Sequence, residues 1–250
     1  MIKSERENQI LELIEKKGYV SVKETAELLF TSESSIRRDF TELEKAGFIK
    51  RSYGGAELIR ARKNVLPFTT RADDFAEGKK KIARMAAELI KDGDVVFIDS
   101  SSTGYFLAME IMDRTDITVV TNSIEIQALL SRGEAVVHST GGILSRYNRI
   151  CLVGRNAEKT FEEINADIAF FSSKSLSFDG IISDCTQEEV FVRRSMLKNA
   201  AKKVLLMNYE KIGTTSSFKQ CNLSDIDILV CDRDVTEQFG KFCKVFKNMD

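Results

Sequence analysis

The sequence holds a single histidine, His138, and a single proline, Pro67. Its five cysteines, Cys151, Cys185, Cys221, Cys231 and Cys243, are odd in number, scattered, and never in a C-x-x-C pair. One imidazole and scattered thiols leave a zinc site little to draw on, so neither a metal nor a cofactor is expected. The thiols are expected to be free, as in a reducing cytoplasm. No apolar run approaches ~20 residues, and the opening Met1-Ile2-Lys3-Ser4-Glu5-Arg6 lacks a signal-like hydrophobic stretch. Neither secretion nor a membrane partner is expected, and the chain reads as cytoplasmic. An excess of one charge is missing too: Lys and Arg total 37 against 38 Asp and Glu, a formal net charge of -1. A nucleic-acid partner must therefore be met by a local basic patch.

What is present suits a small domain followed by a larger one. The chain has 250 residues, and 43% are apolar, enough for a buried core rather than disorder. Residues 3–17 read as an amphipathic helix with Ile10, Leu11, Leu13 and Ile14 on its apolar stripe, stopped by Gly18. Ser21 and Glu24 stand in capping-box spacing and open a second helix through Val22, Ala26, Leu28 and Leu29. Thr31-Ser32 breaks it, and a third helix is predicted from about Glu33 to Ala46, with Gly47 as its C′ residue. Phe48 to Ala56 then reads as a strand, a Gly54-Gly55 turn and a return strand, which is a wing on a helix-turn-helix. Domain boundaries are expected at 1–57 for the winged helix-turn-helix, 58–75 for a linker carrying Arg60, Arg62, Lys63 and Pro67, and 76–250 for the larger domain.

On the third helix Ile36, Phe40 and Leu43 form one packed stripe. Ser34, Arg38 and Thr41 face away from it, with Ser35 and Arg37 on the flanks. Such a face suits a major groove, because arginine pairs bidentately with guanine or holds phosphate and serine donates or accepts. Asp39 is expected to orient a neighbouring arginine. Taken alone, Arg37-Arg38 reads as a solvated helix face. The basic run Lys45, Lys50, Arg51, Arg60, Arg62, Lys63 favours DNA, since the acids Glu5, Glu7, Glu12 and Glu15 lie on the first helix. The candidate DNA-binding residues are Ser32, Ser34, Ser35, Arg37, Arg38, Thr41, Lys50, Arg51, Tyr53, Gly54 and Gly55.

From about residue 78 short apolar strands alternate with helices. Strands are expected near 94–98, 117–120, 135–138, 168–171, 204–207 and 228–230, with helices near 79–91, 103–112, 124–130, 157–164 and 188–201. This is the pattern of a largely parallel sheet covered on both faces, an α/β domain.

Ser34-Ser35-Ile36-Arg37-Arg38-Asp39-Phe40, Leu43-Glu44-Lys45-Ala46-Gly47 and Arg51-Ser52-Tyr53-Gly54-Gly55-Ala56 resemble the DeoR family of sugar-metabolism regulators, whose patterns are close to T-I-R-R-D-L, L-E-x-x-G and R-x-H-G-G-A. The resemblance continues through Asp94 to Thr103, Val119-Val120-Thr121-Asn122-Ser123, Gly141-Gly142, Val192 to Met196 and Lys211-Ile212-Gly213. It implies a second domain folded like ribose-5-phosphate isomerase that senses a phosphorylated sugar and alters operator affinity, usually as a repressor. Three departures stand out: Ser101 replaces a glycine, Asn208 replaces an aspartate, and Phe170 to Ser177 carries serines and Lys174 where the family has glycines.

The residue chemistry beside the resemblance is partly independent. Asp99, Ser100, Ser101, Ser102 and Thr103 run from a strand end into a helix start, where hydroxyls and free amides suit an anion. Thr121, Asn122 and Ser123 form a second polar strand end beside it, and Lys211 adds positive charge. Each segment alone is equally an ordinary cap or turn. With Gly141 and Gly142 from the resemblance, and Lys174 from the segment that departs from it, these are the candidate effector-binding residues. No catalytic residue is expected. An isomerase or deaminase needs a general base, and His138 lies in a buried-type strand while Asp99 has no evident partner. A protein-binding module without DNA function is the third alternative. The expected partners are double-stranded operator DNA, a small effector and a second copy, as homodimer or homotetramer.

Overall fold

A computed structural model describes residues 3–45, 48–58 and 68–246, and the chain divides into two compact units, Met1–Asp74 and Phe75–Asp250. Ala46, the expected C′ residue Gly47, and Arg60, Arg62, Lys63 and Pro67 of the expected linker lie outside the described residues.

The first unit contains α1 (Lys3–Lys17), β1 (Tyr19–Ser21), α2 (Val22–Leu28), α3 (Glu33–Lys45), β2 (Ile49–Ser52), β3 (Gly55–Leu58) and α4 (Phe68–Asp73). Ser21 starts α2 as expected, its Oγ accepting from the Glu24 amide at 3.1 Å. The stripe Ile36, Phe40 and Leu43 is buried against Ile10, Leu11 and Ile14 of α1 and Val22 and Ala26 of α2. Leu28, the last residue of α2, is exposed. The wing is an antiparallel sheet of order β1-β3-β2. β1 was not anticipated, because three residues are too few to show periodicity. β3 runs to Leu58 and α4 occupies Phe68–Asp73, so both ends of the stretch expected as a linker carry regular structure.

The orientation of α3 has a charged component. Asp39 is buried and receives Arg6 Nε at 2.5 Å and Arg6 Nη2 at 3.1 Å. The partner expected from the sequence was an arginine neighbouring Asp39. The actual partner is on α1, because Asp39 lies beside Phe40 on the inward side, while Arg37 and Arg38 point to solvent.

The second unit runs α5 (Ala76–Ala87), β4 (Val95–Ile98), α6 (Ser102–Glu110), β5 (Thr118–Thr121), α7 (Ile124–Leu130), β6 (Val136–Ser139), β7 (Ile143–Leu144), β8 (Leu152–Val153), α8 (Arg155–Glu163), β9 (Ala166–Phe171), β10 (Ser175–Leu176), β11 (Ile181–Asp184), α9 (Gln187–Lys198), β12 (Ala200–Met207), β13 (Phe218–Asn222), β14 (Ile228–Cys231), α10 (Thr236–Phe239) and β15 (Lys244–Phe246). Seven strands form one sheet of order β15-β14-β12-β9-β4-β5-β6, every pair parallel. The side-chain period of two sorts each strand onto two cores. Val96, Ile98, Val119, Phe170 and Leu206 pack with Ile82 of α5, Leu107 of α6 and Ile126 of α7. Phe97, Val120, Phe171 and Leu205 pack with Phe161 of α8 and Met196 of α9 on the opposite face. The unit is therefore an α/β domain with a parallel sheet covered on both sides.

Two features depart from the sequence reading. β6 is the end strand of the sheet and is mostly exposed, His138 included, so the histidine is not in a buried strand. Burial of a parallel strand requires a neighbour on each side, which a sheet edge lacks. A small antiparallel sheet β10-β11-β13 and a hairpin β7-β8 were also not anticipated. The order of the main sheet reverses between β4 and β9, and the carboxyl ends beside such a reversal are the usual place for a ligand in such sheets.

Replacing Asp39 by alanine is expected to cost the first unit about 2–3 kcal/mol, since it strands a partly buried guanidinium. Calorimetry checks this as an earlier transition of that unit, with the transition of the second unit unmoved.

Candidate functional site

The exposed side of α3 begins at Ser32. Its Oγ lies 2.9 Å from both Ser34 Oγ and Ser35 Oγ and accepts from the Ser35 amide at 3.3 Å, so it caps the helix. Arg37 is exposed but paired with Glu33 at 3.1 Å, one turn back. Arg38 is exposed, and its Nε reaches only the Ser34 carbonyl at 3.5 Å. Among the described residues no carboxylate pairs with Arg38, so its charge is the less committed of the two. Thr41 and Arg51 serve the joint between helix and wing. Arg51 Nη1 donates to Thr41 Oγ1 at 2.8 Å, and the Arg51 amide donates to Glu44 Oε1 at 2.9 Å.

At the wing turn Tyr53 is fully exposed, and its carbonyl accepts from Tyr19 Oη at 3.1 Å. Gly54 has φ +77° and is exposed, as a tight turn requires. Gly55 is buried instead of lying at the surface. A Cβ there would stand 2.3 Å from the Val20 carbonyl oxygen, so this glycine is needed where β3 crosses β1 and offers DNA no surface. Lys50 is exposed on β2.

In the second unit the carboxyl ends of β4, β5 and β9 bring most of the expected effector residues together. Asp99 Oδ1 accepts from the Ser101 amide at 3.1 Å, and Oδ2 accepts from the Ser172 amide at 3.2 Å and Arg193 Nε at 2.7 Å. Asp99 thus has a strong partner, contrary to the sequence reading, and is a structural anchor rather than a free base. Ser101 Oγ caps α6 through the Gly104 amide at 2.9 Å, and Ser123 Oγ caps α7 through the Ile126 amide at 3.3 Å. Ser102 is buried in the first turn of α6, and Thr121 Oγ1 accepts from the Ser123 amide at 3.1 Å. The cap-and-turn alternative therefore describes part of both segments. Thr103 Oγ1 and Asn122 Oδ1 are different: both are buried and neither has a hydrogen-bond partner within the chain. Buried polar atoms are nearly always satisfied, so these two call for a partner from outside.

Lys211 Nζ reaches Ser172 Oγ at 3.3 Å and the Ser173 carbonyl at 3.1 Å, placing its charge at the end of β9. Lys174 is exposed. Gly141 and Gly142 follow β6, with φ +61° and +113°, and a Cβ on Gly142 would meet the Val153 carbonyl oxygen at 2.7 Å. Asn208, at the end of β12, is buried with both amide atoms unpartnered within the chain.

Sequence reasoning missed the centre of this region, the Arg193 cluster. The Arg193 side chain is 6% exposed and meets Asp99 at 2.7 Å, Asp184 at 2.7 Å and Glu189 at 3.2 Å, with Gln220 Oε1 at 3.4 Å. Burial works to raise the Asp184 carboxyl, but the Arg193 guanidinium and the Cys185 amide outweigh it and hold it below the usual range. Lys211 adds to that effect. The guanidinium itself is held well above its ordinary value: burial opposes its charge, and the three carboxylates overcome it. Cys151 was also missed. It is buried, accepting from Ser100 Oγ at 3.0 Å and Asn122 Nδ2 at 3.2 Å, and burial pushes its thiol well above the ordinary value. The signals for Arg193 were an arginine pair inside an apolar-faced helix and the resemblance over Val192 to Met196, and neither names its partners. Nothing in the chain's local pattern ties Cys151 to strand ends about 30 and 50 residues earlier.

An Arg193→Met variant is expected to lose about 3–5 kcal/mol near neutral pH, because three buried carboxylates lose their counter-charge. Those carboxylates then bind protons more tightly folded than unfolded. A raised folded pKa gives stability that is present at low pH and lost as pH rises through it. The variant is therefore expected to be more stable at about pH 5 than at about pH 8. In the parent the depressed Asp184 contributes above the ordinary carboxylate range and is lost only as pH falls below it. Urea melts of the two proteins at both pH values check this.

Comparison with known proteins bears on both units. Residues 6–62 match the family described as "DeoR-like helix-turn-helix domain", and residues 74–233 match "DeoR C terminal sensor domain". The chain is 31% identical over 242 residues to the HTH-type transcriptional regulator GolR of Listeria innocua, covering 96% of this chain and 95% of that protein. It is 31% identical over 240 residues to the HTH-type transcriptional repressor GlcR of Bacillus subtilis, covering 96% and 92%. It is 30% identical over 243 residues to a lactose phosphotransferase system repressor of Staphylococcus aureus, covering 95% of each. Among solved structures, ribose 5-phosphate isomerase A from Methanocaldococcus jannaschii aligns at 19% identity with a TM-score of 0.41, over 54% of this chain and 53% of that one. The chain belongs to the DeoR family of helix-turn-helix transcriptional regulators, a DNA-binding regulator with a small-molecule sensor domain rather than an enzyme.

Proposed function

We propose that the chain is a repressor whose operator affinity is set by a phosphorylated sugar or sugar derivative bound at the carboxyl ends of β4, β5 and β9. The observation that carries this reading is the pair of unpartnered buried atoms, Thr103 Oγ1 in the first turn of α6 after β4 and Asn122 Oδ1 just after the adjoining β5. A sugar hydroxyl satisfies both, since it donates and accepts. Arg193 is not the phosphate holder, because its nitrogens are taken by carboxylates. Lys211 and the first-turn amides of α6 supply positive potential, the latter through the helix dipole. Lys174, Gly141 and Gly142 complete the site in this reading, with Lys174 reaching the ligand from the surface. The sensing of a sugar fits the relative named as a lactose phosphotransferase system repressor, and repression fits that relative and the repressor GlcR.

On the DNA side, Ser34, Ser35 and Arg38 meet base edges and phosphates, and Ser32, Lys50 and Tyr53 hold the backbone. Arg37, Thr41, Arg51 and Gly54 shape and support that face. A homodimer or homotetramer presents two such faces to paired half-sites in cytoplasmic DNA.

Two outcomes are expected. Arg38→Ala weakens operator binding by roughly 1–3 kcal/mol, and more than Arg37→Ala does; binding titrations at several salt concentrations check this, with a shallower salt slope for the variant. A phosphorylated sugar at about 100 times its Kd raises the sensor unit's apparent stability by about 2.7 kcal/mol. Asn122→Leu and Lys211→Ala abolish that thermal shift while DNA binding persists. A panel of phosphorylated sugars that leaves the melting temperature unmoved contradicts the effector reading.

A further inference from the structure

Phe30 is 97% exposed, although it is among the largest apolar side chains. Its backbone is left-handed, with φ +48°. The way α2 ends accounts for that. The Phe30 amide donates to the Glu27 carbonyl at 3.3 Å and the Thr31 amide to the Ala26 carbonyl at 3.0 Å. This paired closure puts the residue after the C-cap, here Phe30, in the left-handed region, where glycine is preferred. A side chain there is sterically costly. Phenylalanine adds an apolar ring held in water, and its exposure leaves no compensating packing inside the chain. Such a combination of backbone strain and lost burial belongs to a surface that is completed by something else.

Its position says by what. Ser32, two residues on, caps α3, with Ser34 Oγ and Ser35 Oγ each 2.9 Å away. The N-terminal residues of a recognition helix are the ones that meet base edges. Phe30 stands on the same rim and carries no donor or acceptor. Phosphate and sugar contacts come from charged and hydroxyl side chains, whereas the apolar group in the major groove is the thymine C5-methyl. We propose that Phe30 is a specificity-determining residue that packs on a thymine methyl at the edge of the site read by α3. This rests on α3 being the DNA-reading helix.

The test uses the full chain to select duplexes from a random pool, then replaces each thymine of the recovered site by deoxyuridine, which removes only the methyl. The parent is expected to lose affinity about four-fold at one thymine in each half-site, the worth of one buried methyl group. With Phe30→Gly, which removes the contact in both half-sites, affinity for the thymine site falls about sixteen-fold, deoxyuridine at those positions no longer matters, and the melting temperature does not drop. The proposal is overturned if Phe30→Gly binds like the parent, or if both proteins discriminate thymine from deoxyuridine equally. It is also overturned if the variant loses stability or changes oligomeric state, which makes Phe30 a packing or subunit-contact residue. Arg38→Ala separates the two levels. Loss of binding there with no coupling at Phe30 sinks this proposal alone, whereas retained binding sinks the reading of α3 and this proposal with it.

Discussion

Arg193 imposes the constraint on which the sensor unit depends. A guanidinium that is taken out of water must be neutralised and must have its donors filled. Here the partners come from the end of β4 (Asp99), the end of β11 (Asp184) and one turn back along α9 (Glu189). Satisfying one buried charge therefore fixes the main sheet, the small sheet and the covering helix relative to one another. Asp99 extends that constraint, because the same carboxylate also receives the amides of Ser101 and Ser172 and so sets the first residues of two strand-end loops. The candidate pocket is a product of this neutralisation rather than a separate feature laid over the fold.

The same cluster limits what the pocket can bind. Two cations, Arg193 and Lys211, stand among three carboxylates, and each nitrogen of Arg193 already meets one of them. In the proposed reading an anionic group approaches Lys211 and backbone amides, and the remainder of the ligand meets hydroxyl and amide groups. Thr103, Asn122 and Asn208 contribute polar atoms with no partner inside the chain. In the proposed reading, Lys211 meets the phosphate and these neutral groups meet the hydroxyls of a phosphorylated sugar. In the first unit the logic is similar on a smaller scale. Asp39 and Arg6 tie α3 to α1, which leaves the serines and Arg38 on the outward face.

The helix-turn-helix was legible because its determinants are local. Ile36, Phe40 and Leu43 mark the buried stripe by spacing alone, and Ser21 with Glu24 marks a helix start. The alternation of strands and helices after residue 75 was equally plain, since fully buried strands are short apolar runs. Among the elements that failed to show, β1, the hairpin β7-β8 and β10 have too few residues to have a period. Burial was misjudged where it depends on neighbours that are distant in the chain. His138 sits in an apolar-looking strand that turns out to be a sheet edge, and Gly55 in a turn motif that turns out to be packed under β1.

The sequence by itself determined the two-part plan, the outward face of α3 and the polar strand ends at Asp99–Thr103 and Thr121–Ser123. Each of these follows from contacts between residues close in the chain, where helical and strand periods translate directly into faces. Tertiary structure alone decided the partners of the charges. Asp39 reaches Arg6, 33 residues away, and Asp99 reaches Arg193, 94 residues away. A buried charge recruits whichever opposite charge the fold brings within hydrogen-bond distance, and sequence spacing carries no record of that distance.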